Sequence, residues 1–113
     1  MLSSSDIKKI KKFSLYPSKY GLDRVFSALA DPTRLEIFRL LIGHKDLCVT
    51  DIAKILDLSL AAVSHQLTIL EQSGLISRER VGKMKCFSIS HKNPVLKSVK
   101  RVIQVGRNYS RST

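Results

Sequence analysis

Residues Thr50–Gly74 read TDIAKILDLSLAAVSHQLTILEQSG, and the fold turns on how that stretch divides. Ile52, Ala53, Ile55 and Leu56 recur at helical spacing behind Thr50, a residue able to cap the helix they form. Three residues, Asp57-Leu58-Ser59, separate this short helix from a second one running to about Ser73. Ser59 sits as N-cap of that second helix and Gly74 as its terminator at C′. Two helices joined by so short a turn are the signature of a helix-turn-helix. Stepping about 100° per residue along the second helix puts Val63, Gln66, Leu67 and Leu70 on one side, the predicted core face. Ala61, Ser64, His65, Thr68 and Gln72 fall opposite. Small and hydrogen-bonding side chains there allow close approach to base edges in a DNA major groove. Glu71 is this helix's only charged residue, so its first turns carry no anion to repel phosphate. His65 lies across from Val63, Leu67 and Leu70 and has no metal ligand at i+3 or i+4, against both a core and a metal role.

A polar face on an isolated helix would simply meet water; the segment behind this one points to DNA. Leu75 to Val81 and Met84 to Ser90 read as two strands joined at Val81-Gly82-Lys83, a hairpin carrying Arg78, Arg80, Lys83 and Lys85. A basic hairpin directly behind a helix-turn-helix is a wing. Its cations are expected to meet phosphates or enter the minor groove, supplying affinity while the helix supplies sequence choice. Ser59, Ala61, Ser64, His65 and Thr68 are the helix residues expected at the DNA, together with those four wing cations.

Upstream, Leu22, Val25, Phe26 and Leu29 follow the i, i+3, i+4, i+7 spacing of an amphipathic helix that stops at Asp31-Pro32. That dipeptide also starts the next helix, with Asp31 as N-cap and Pro32 in the first turn. Leu35, Phe38, Leu41 and Ile42 give it an apolar stripe ending near Gly43, and 44–49 is a connector with a short apolar stretch, Leu47-Cys48-Val49. At the N terminus Ser3-Ser4-Ser5-Asp6 offers cap oxygens to a segment with Ile7, Ile10 and Phe13 spaced at three, which Pro17 and Gly21 interrupt. A last helix follows Pro94, with Val95, Val99, Val102 and Ile103 on one side and Lys97, Lys100 and Arg101 on others. The expected fold is mostly α with a small β-hairpin wing, a winged helix-turn-helix. Its divisions are a basic helical arm (1–21), a DNA-binding core (22–90) and a C-terminal helix with a basic tail (91–113).

The whole chain, 113 residues, is one ordinary domain. Its longest apolar run is four residues, Leu60 to Val63, far short of a spanning helix or signal-peptide core. A soluble cytoplasmic, nucleoid-associated protein is expected. The net charge of +11 is unevenly held. Residues 1–20 carry +4, 21–58 and 59–77 carry −1 each, and 78–113 carry +9. A near-neutral middle between basic flanks suits a polyanion, nucleic acid or a membrane surface. The basic ends lack the large apolar face a membrane-surface helix inserts, so no membrane partner is expected. The lysine-rich N terminus and the Arg107–Arg111 tail are either further phosphate contacts or unstructured. No Gly-rich phosphate loop, nucleophile–base motif or carboxylate pair is present, and His44, His65 and His91 are scattered, so no enzyme is expected. A winged-helix module for protein assembly would carry a polar or acidic recognition face, and the uncharged face and basic wing of this chain go against it.

Three motifs resemble those of the ArsR/SmtB-type repressors. FSALADPTRL (Phe26–Leu35) is similar to that family's helix-joining motif, SLAAVSHQL (Ser59–Leu67) to its recognition helix, and LEQSGLI (Leu70–Ile76) to its run into the wing. The resemblance covers roughly residues 22–90. It implies a homodimer with paired winged helices, held by the first and last helices, on a pseudo-palindromic double-stranded DNA operator. Ile7, Ile10, Val95, Val99, Val102 and Ile103 are then the interface candidates.

Many members of that family release DNA when a metal or oxidant binds. One of their sites uses a Cys-Val-Cys-Asp pattern, and this chain has Cys48-Val49-Thr50-Asp51, a hydroxyl replacing the second thiolate. The other site needs Asp and His on the last helix, where nothing after His91 is His, Asp or Glu. Neither ligand set is complete, so no cofactor and no family metal site is expected, the alternative being a metal- or thiol-redox-responsive repressor using Cys48 and/or Cys86. Two cysteines without an export signal are expected as reduced thiols, not as a disulfide framework. Strand alternation puts Met84, Cys86 and Ser88 on the face away from Phe87 and Ile89, leaving Cys86 accessible beside cations that favour thiolate. Cys48 and Cys86 are thus either sensor thiols or unpaired structural ones.

Overall fold

The computed structural model describes the backbone of residues 1–14 and 21–111, and the side chains of 1–13 and 21–106. The interruption expected at Pro17 lies outside these residues, as do the side chains of the Arg107–Arg111 tail.

Helix α1 (Ser4–Ser14) opens on a reciprocal cap. The Asp6 N–H donates to Ser3 Oγ at 3.1 Å, and the Ser3 N–H donates back to the Asp6 carboxylate at 3.3 Å. Helices α2 (Leu22–Leu29) and α3 (Pro32–Gly43) meet at Asp31, whose carboxylate accepts from the Arg34 N–H at 3.0 Å. Arg34 closes this corner. Its Nε donates to the Ala28 carbonyl at 2.7 Å, one of the carbonyls the end of α2 leaves open, and its Nη1 donates to Gln66 Oε1 at 2.9 Å.

Gln66 is therefore not a core side chain, as its place on the helical wheel suggests. It is half-buried, and its amide holds the α2–α3 corner to α5 (Leu60–Gln72).

Helix α4 (Val49–Leu56) starts earlier than the sequence suggests. Cys48, not Thr50, is its N-cap residue, and the Asp51 carboxylate reaches back to accept from the Cys48 N–H at 3.0 Å. Asp57 ends α4 at φ 54°, a left-handed conformation that Asp tolerates, and the chain bends by 114° into α5. Ser59 Oγ accepts from the Ala62 N–H at 3.1 Å, and Gly74, at φ 83°, ends the helix. The helix-turn-helix thus forms where the sequence places it.

Strands β2 (Ile76–Val81) and β3 (Met84–Ile89) pair antiparallel from Ile76↔Ile89 to Val81↔Met84. Gly82, at φ 65°, supplies the left-handed first position of their two-residue turn. A further strand forms inside the expected connector: β1 (Leu47–Cys48) pairs on the far side of β3, giving the order β1-β3-β2. Two residues are too few to display a strand period, so only the tertiary ladder reveals it.

That ladder overturns the expectation for the cysteines. Cys48 and Cys86 are directly opposed across β1 and β3 and are joined by a disulfide. Cys86 is only 1% exposed, so the face that alternation leaves open is covered there in the folded chain.

The core gathers Val25, Ile37, Phe38, Ile52, Val63, Leu67, Leu70, Leu75 and Phe87, so all the central elements share it. Each such side chain contributes roughly 1.5–3 kcal/mol on burial. The first turns of α6 (Leu96–Arg111) join the same core through Leu96 and Val99, with Val95 and Ile103 packed at its edge. Val99 is therefore not available as an interface residue, and Val95 and Ile103 are only partly so. Val102 remains 72% exposed, and Ile7 and Ile10 are exposed as well. The radius of gyration, 17.7 Å, exceeds the roughly 13 Å of a compact chain this long. Among the described residues no single helix is long and apolar enough to cross a membrane.

Candidate nucleic-acid interface

The outer face of α5 emerges as a small, uncharged surface. Ser59, Ala61, Ser64, His65 and Thr68 are all exposed, while Val63, Leu67 and Leu70 hold the opposite side in the core. Thr68 Oγ donates to the Ser64 carbonyl at 2.9 Å, so its proton is engaged within the helix and its oxygen is left to accept. Ser64 and His65 keep their side-chain polar groups turned outward.

Across from this face stands the wing, separated from it by a groove of about 280 Å³. Thr50, Leu60 and Ser64 line the groove on the helical side, and Lys83, Met84 and Lys85 on the wing side, with Cys48 also in its lining. The disulfide thus joins the start of the first helix of the helix-turn-helix to the wing strand.

The four wing cations are not equivalent. Arg78 Nη2 is 3.0 Å from Glu71 Oε1, and its guanidinium lies 5.5 Å from the centre of the Phe87 ring. It ties the end of α5 to the wing and neutralises the one anion of that helix. Arg80, Lys83 and Lys85 are exposed, and no ion pair within 4 Å engages them among the described residues. Register sets Arg80 directly opposite Lys85. Like charges held across a ladder are destabilising, a cost that a bound anion relieves.

Thr50 and Leu60 line the groove, and Arg34 holds Gln66 behind α5, contacts that no local pattern marks. Arg34 lies 32 residues from Gln66, and no periodicity marks a side chain whose partners are the carbonyls of one helix and the amide of another. Thr50 reads in sequence as a cap and as the hydroxyl in place of a family thiolate, and Leu60 as the opening of an apolar run within the motif similar to the family's recognition helix.

The donor set for a metal does not fit at Cys48. Its sulfur is bonded to Cys86, Asp51 is engaged in capping, and Thr50 offers a hydroxyl. Among the described residues no three His, Cys, Asp or Glu side chains group as a metal site. On the terminal helices and α2, Phe13, Phe26, Val102 and Val105 are exposed, along with Ile7 and Ile10.

Comparison with known proteins bears on this arrangement. The sequence model for bacterial regulatory proteins of the arsR family matches residues 31–78. A transcriptional repressor SmtB homolog of Synechocystis sp. is 45% identical over 65 residues, 58% of this chain and 48% of that protein. This chain therefore spans about half the length of that relative. The transcriptional repressor SdpR of Bacillus subtilis is 39% identical over 69 residues, 61% of this chain and 76% of that protein. The solution structure of a homodimeric winged helix-turn-helix DNA-binding domain from Mycobacterium bovis, described as a possible ArsR-family regulator, superposes with a TM-score of 0.65. It is 25% identical, covering 98% of this chain and 91% of that one.

Proposed function

This chain belongs to the arsR family of bacterial regulatory proteins, and we propose that it is a sequence-specific DNA-binding transcriptional regulator, a repressor acting as a homodimer. The observation that carries the reading is the pairing of an uncharged, small-residue face on α5 with unneutralised cations on the adjacent wing. Ser59, Ala61, Ser64, His65 and Thr68 enter the major groove, where small side chains and hydroxyls reach base edges. Arg80, Lys83 and Lys85 lie on the neighbouring backbone or minor groove. Arg78 acts chiefly as a brace for the wing through Glu71. No metal step belongs to this reading, and the cytoplasm is the compartment in which it operates.

Selection of bound sites from random double-stranded DNA, followed by footprinting, tests it. Two related half-sites about one helical turn apart, roughly 34–36 Å, are expected. A protein that recovers no preferred sequence is not a sequence-specific regulator. Replacing Lys83 and Lys85 by Ala is expected to weaken binding to all duplexes alike and to lower the salt slope by roughly 0.9 for each phosphate no longer neutralised. Collapse of discrimination with an unchanged slope would assign these lysines to base reading instead.

Homodimerisation is proposed to use the exposed apolar side chains of α1, α2 and α6, Val102 among them at 72% exposed. Sedimentation of Val102→Asp is expected to give monomers where the parent chain gives dimers, with affinity for the two-half-site duplex reduced. A dimer that survives both this change and Ile10→Asp would place the interface elsewhere.

The disulfide favours a second reading, a regulator responsive to thiol–disulfide state. In a reducing compartment such bonds are commonly regulatory, and this one joins the two elements that flank the proposed DNA groove. A dithiol reductant would deliver two electrons and two protons, becoming a disulfide as Cys48 and Cys86 become thiols. The oxidised and reduced forms are expected to bind the selected duplex with different affinities in mobility-shift titrations. Equal affinity in both states removes this reading and leaves the first intact.

A further inference from the structure

The recognition helix begins with a side chain that hydrogen-bonded base reading does not use. Leu60 is the first residue of α5 and is 54% exposed. It stands outside the core cluster, at the wall of the groove between α5 and the wing. Ala61 beside it is exposed, and Met84, 45% exposed, lines the same groove from the wing. Hydroxyls of Thr50 and Ser64 border this apolar opening. Ser59 Oγ already accepts from the Ala62 N–H, and Ser64 follows Leu60 by four residues on the same side of the helix. An apolar protein partner would have to desolvate Lys83 and Lys85, which flank the same groove. A DNA strand would pair with them.

The major groove presents one apolar feature, the C5-methyl group of thymine. We propose that Leu60 reads a thymine methyl in each half-site, with Ala61 and Met84 extending the apolar surface. This inference rests on the DNA-binding reading and specifies which base the opening turn of α5 selects. Removing one buried methyl is expected to change affinity by a factor of about four.

The probe is the tightest duplex recovered from random double-stranded DNA, with each thymine replaced in turn by uracil, which deletes only the methyl. The parent protein is expected to lose about fourfold at one or two thymines per half-site and to be indifferent elsewhere. Leu60→Ala is expected to bind the thymine duplex several-fold more weakly, to show no uracil penalty, and to keep the parent salt slope. Because Leu60 is exposed, its unfolding midpoint should stay within about 2 °C of the parent, and Leu60→Gln provides a second variant. Lys83→Ala should lower the salt slope yet retain the uracil penalty. A site with no sensitive thymine, or a Leu60→Ala protein that keeps the full penalty, overturns the proposal. Tight binding without methyl sensitivity sinks this inference alone. Absence of salt-dependent duplex binding sinks the regulator reading and this inference together.

Discussion

Reduction of the Cys48–Cys86 bond is expected to lower the thermal unfolding midpoint by about 15 °C. The bond closes a loop across a sequence separation of 38, enclosing α4, α5 and β2. On the chain-entropy account, opening a loop of that length costs the folded state about 4 kcal/mol relative to the unfolded chain. That is a large share of the roughly 5–15 kcal/mol by which a domain is stable. Calorimetry with and without a dithiol reductant measures it. The Cys48→Ser/Cys86→Ala variant should match the reduced parent and be insensitive to reductant. Alanine is chosen at position 86 because a hydroxyl there would be buried without an assured partner. Two titratable thiols in the folded, untreated protein, with a midpoint unmoved by reductant, would contradict the bond.

Arg34→Ala is expected to cost about 3 kcal/mol in denaturant unfolding and to weaken duplex binding at least tenfold without altering the salt slope. Arg34 donates to the Ala28 carbonyl at the open end of α2 and to Gln66 on α5. Hydrogen bonds from a charged donor contribute about 1.5–3 kcal/mol each, and the half-buried Gln66 amide would be left without this partner. The binding defect follows from position: Gln66 is on the helix whose other face is proposed to meet DNA, so losing the brace loosens the angle at which that face is presented. Lysine cannot reproduce a fork that reaches two helices at once, so Arg34→Lys should recover only part of the stability. Full recovery by Lys would mean that charge, rather than the planar geometry, holds the corner.

Much of the fold is legible in the sequence because it follows from local rules. Asp31-Pro32, Ser59 and Gly74 each act through their own backbone geometry, and all three mark helix ends as expected. The hairpin is legible for the same reason, since Gly82 supplies a turn that few other residues accept. The start of α4 is not, because two candidate cap positions lie close together and Asp51 favours Cys48. Strand alternation at Cys86 also misleads: it assigns faces, but whether a face is covered depends on how other elements pack on it, which is non-local. The stripe on α6 divides similarly, Val99 turning into the protomer's own core and Val102 away from it.

The sequence by itself determined where the wing and most of the helices begin and end, the start of α4 excepted, and that one helix presents a nearly uncharged face beside a basic hairpin. Those are properties of caps, turns, periodicity and charge, each local to a few residues. Only the tertiary structure decided that the cysteines are bonded, that Arg78 braces the wing through Glu71, and that Arg34 anchors the recognition helix. Each of these joins residues distant in sequence, and such pairings are set by how the elements pack, which no local pattern encodes.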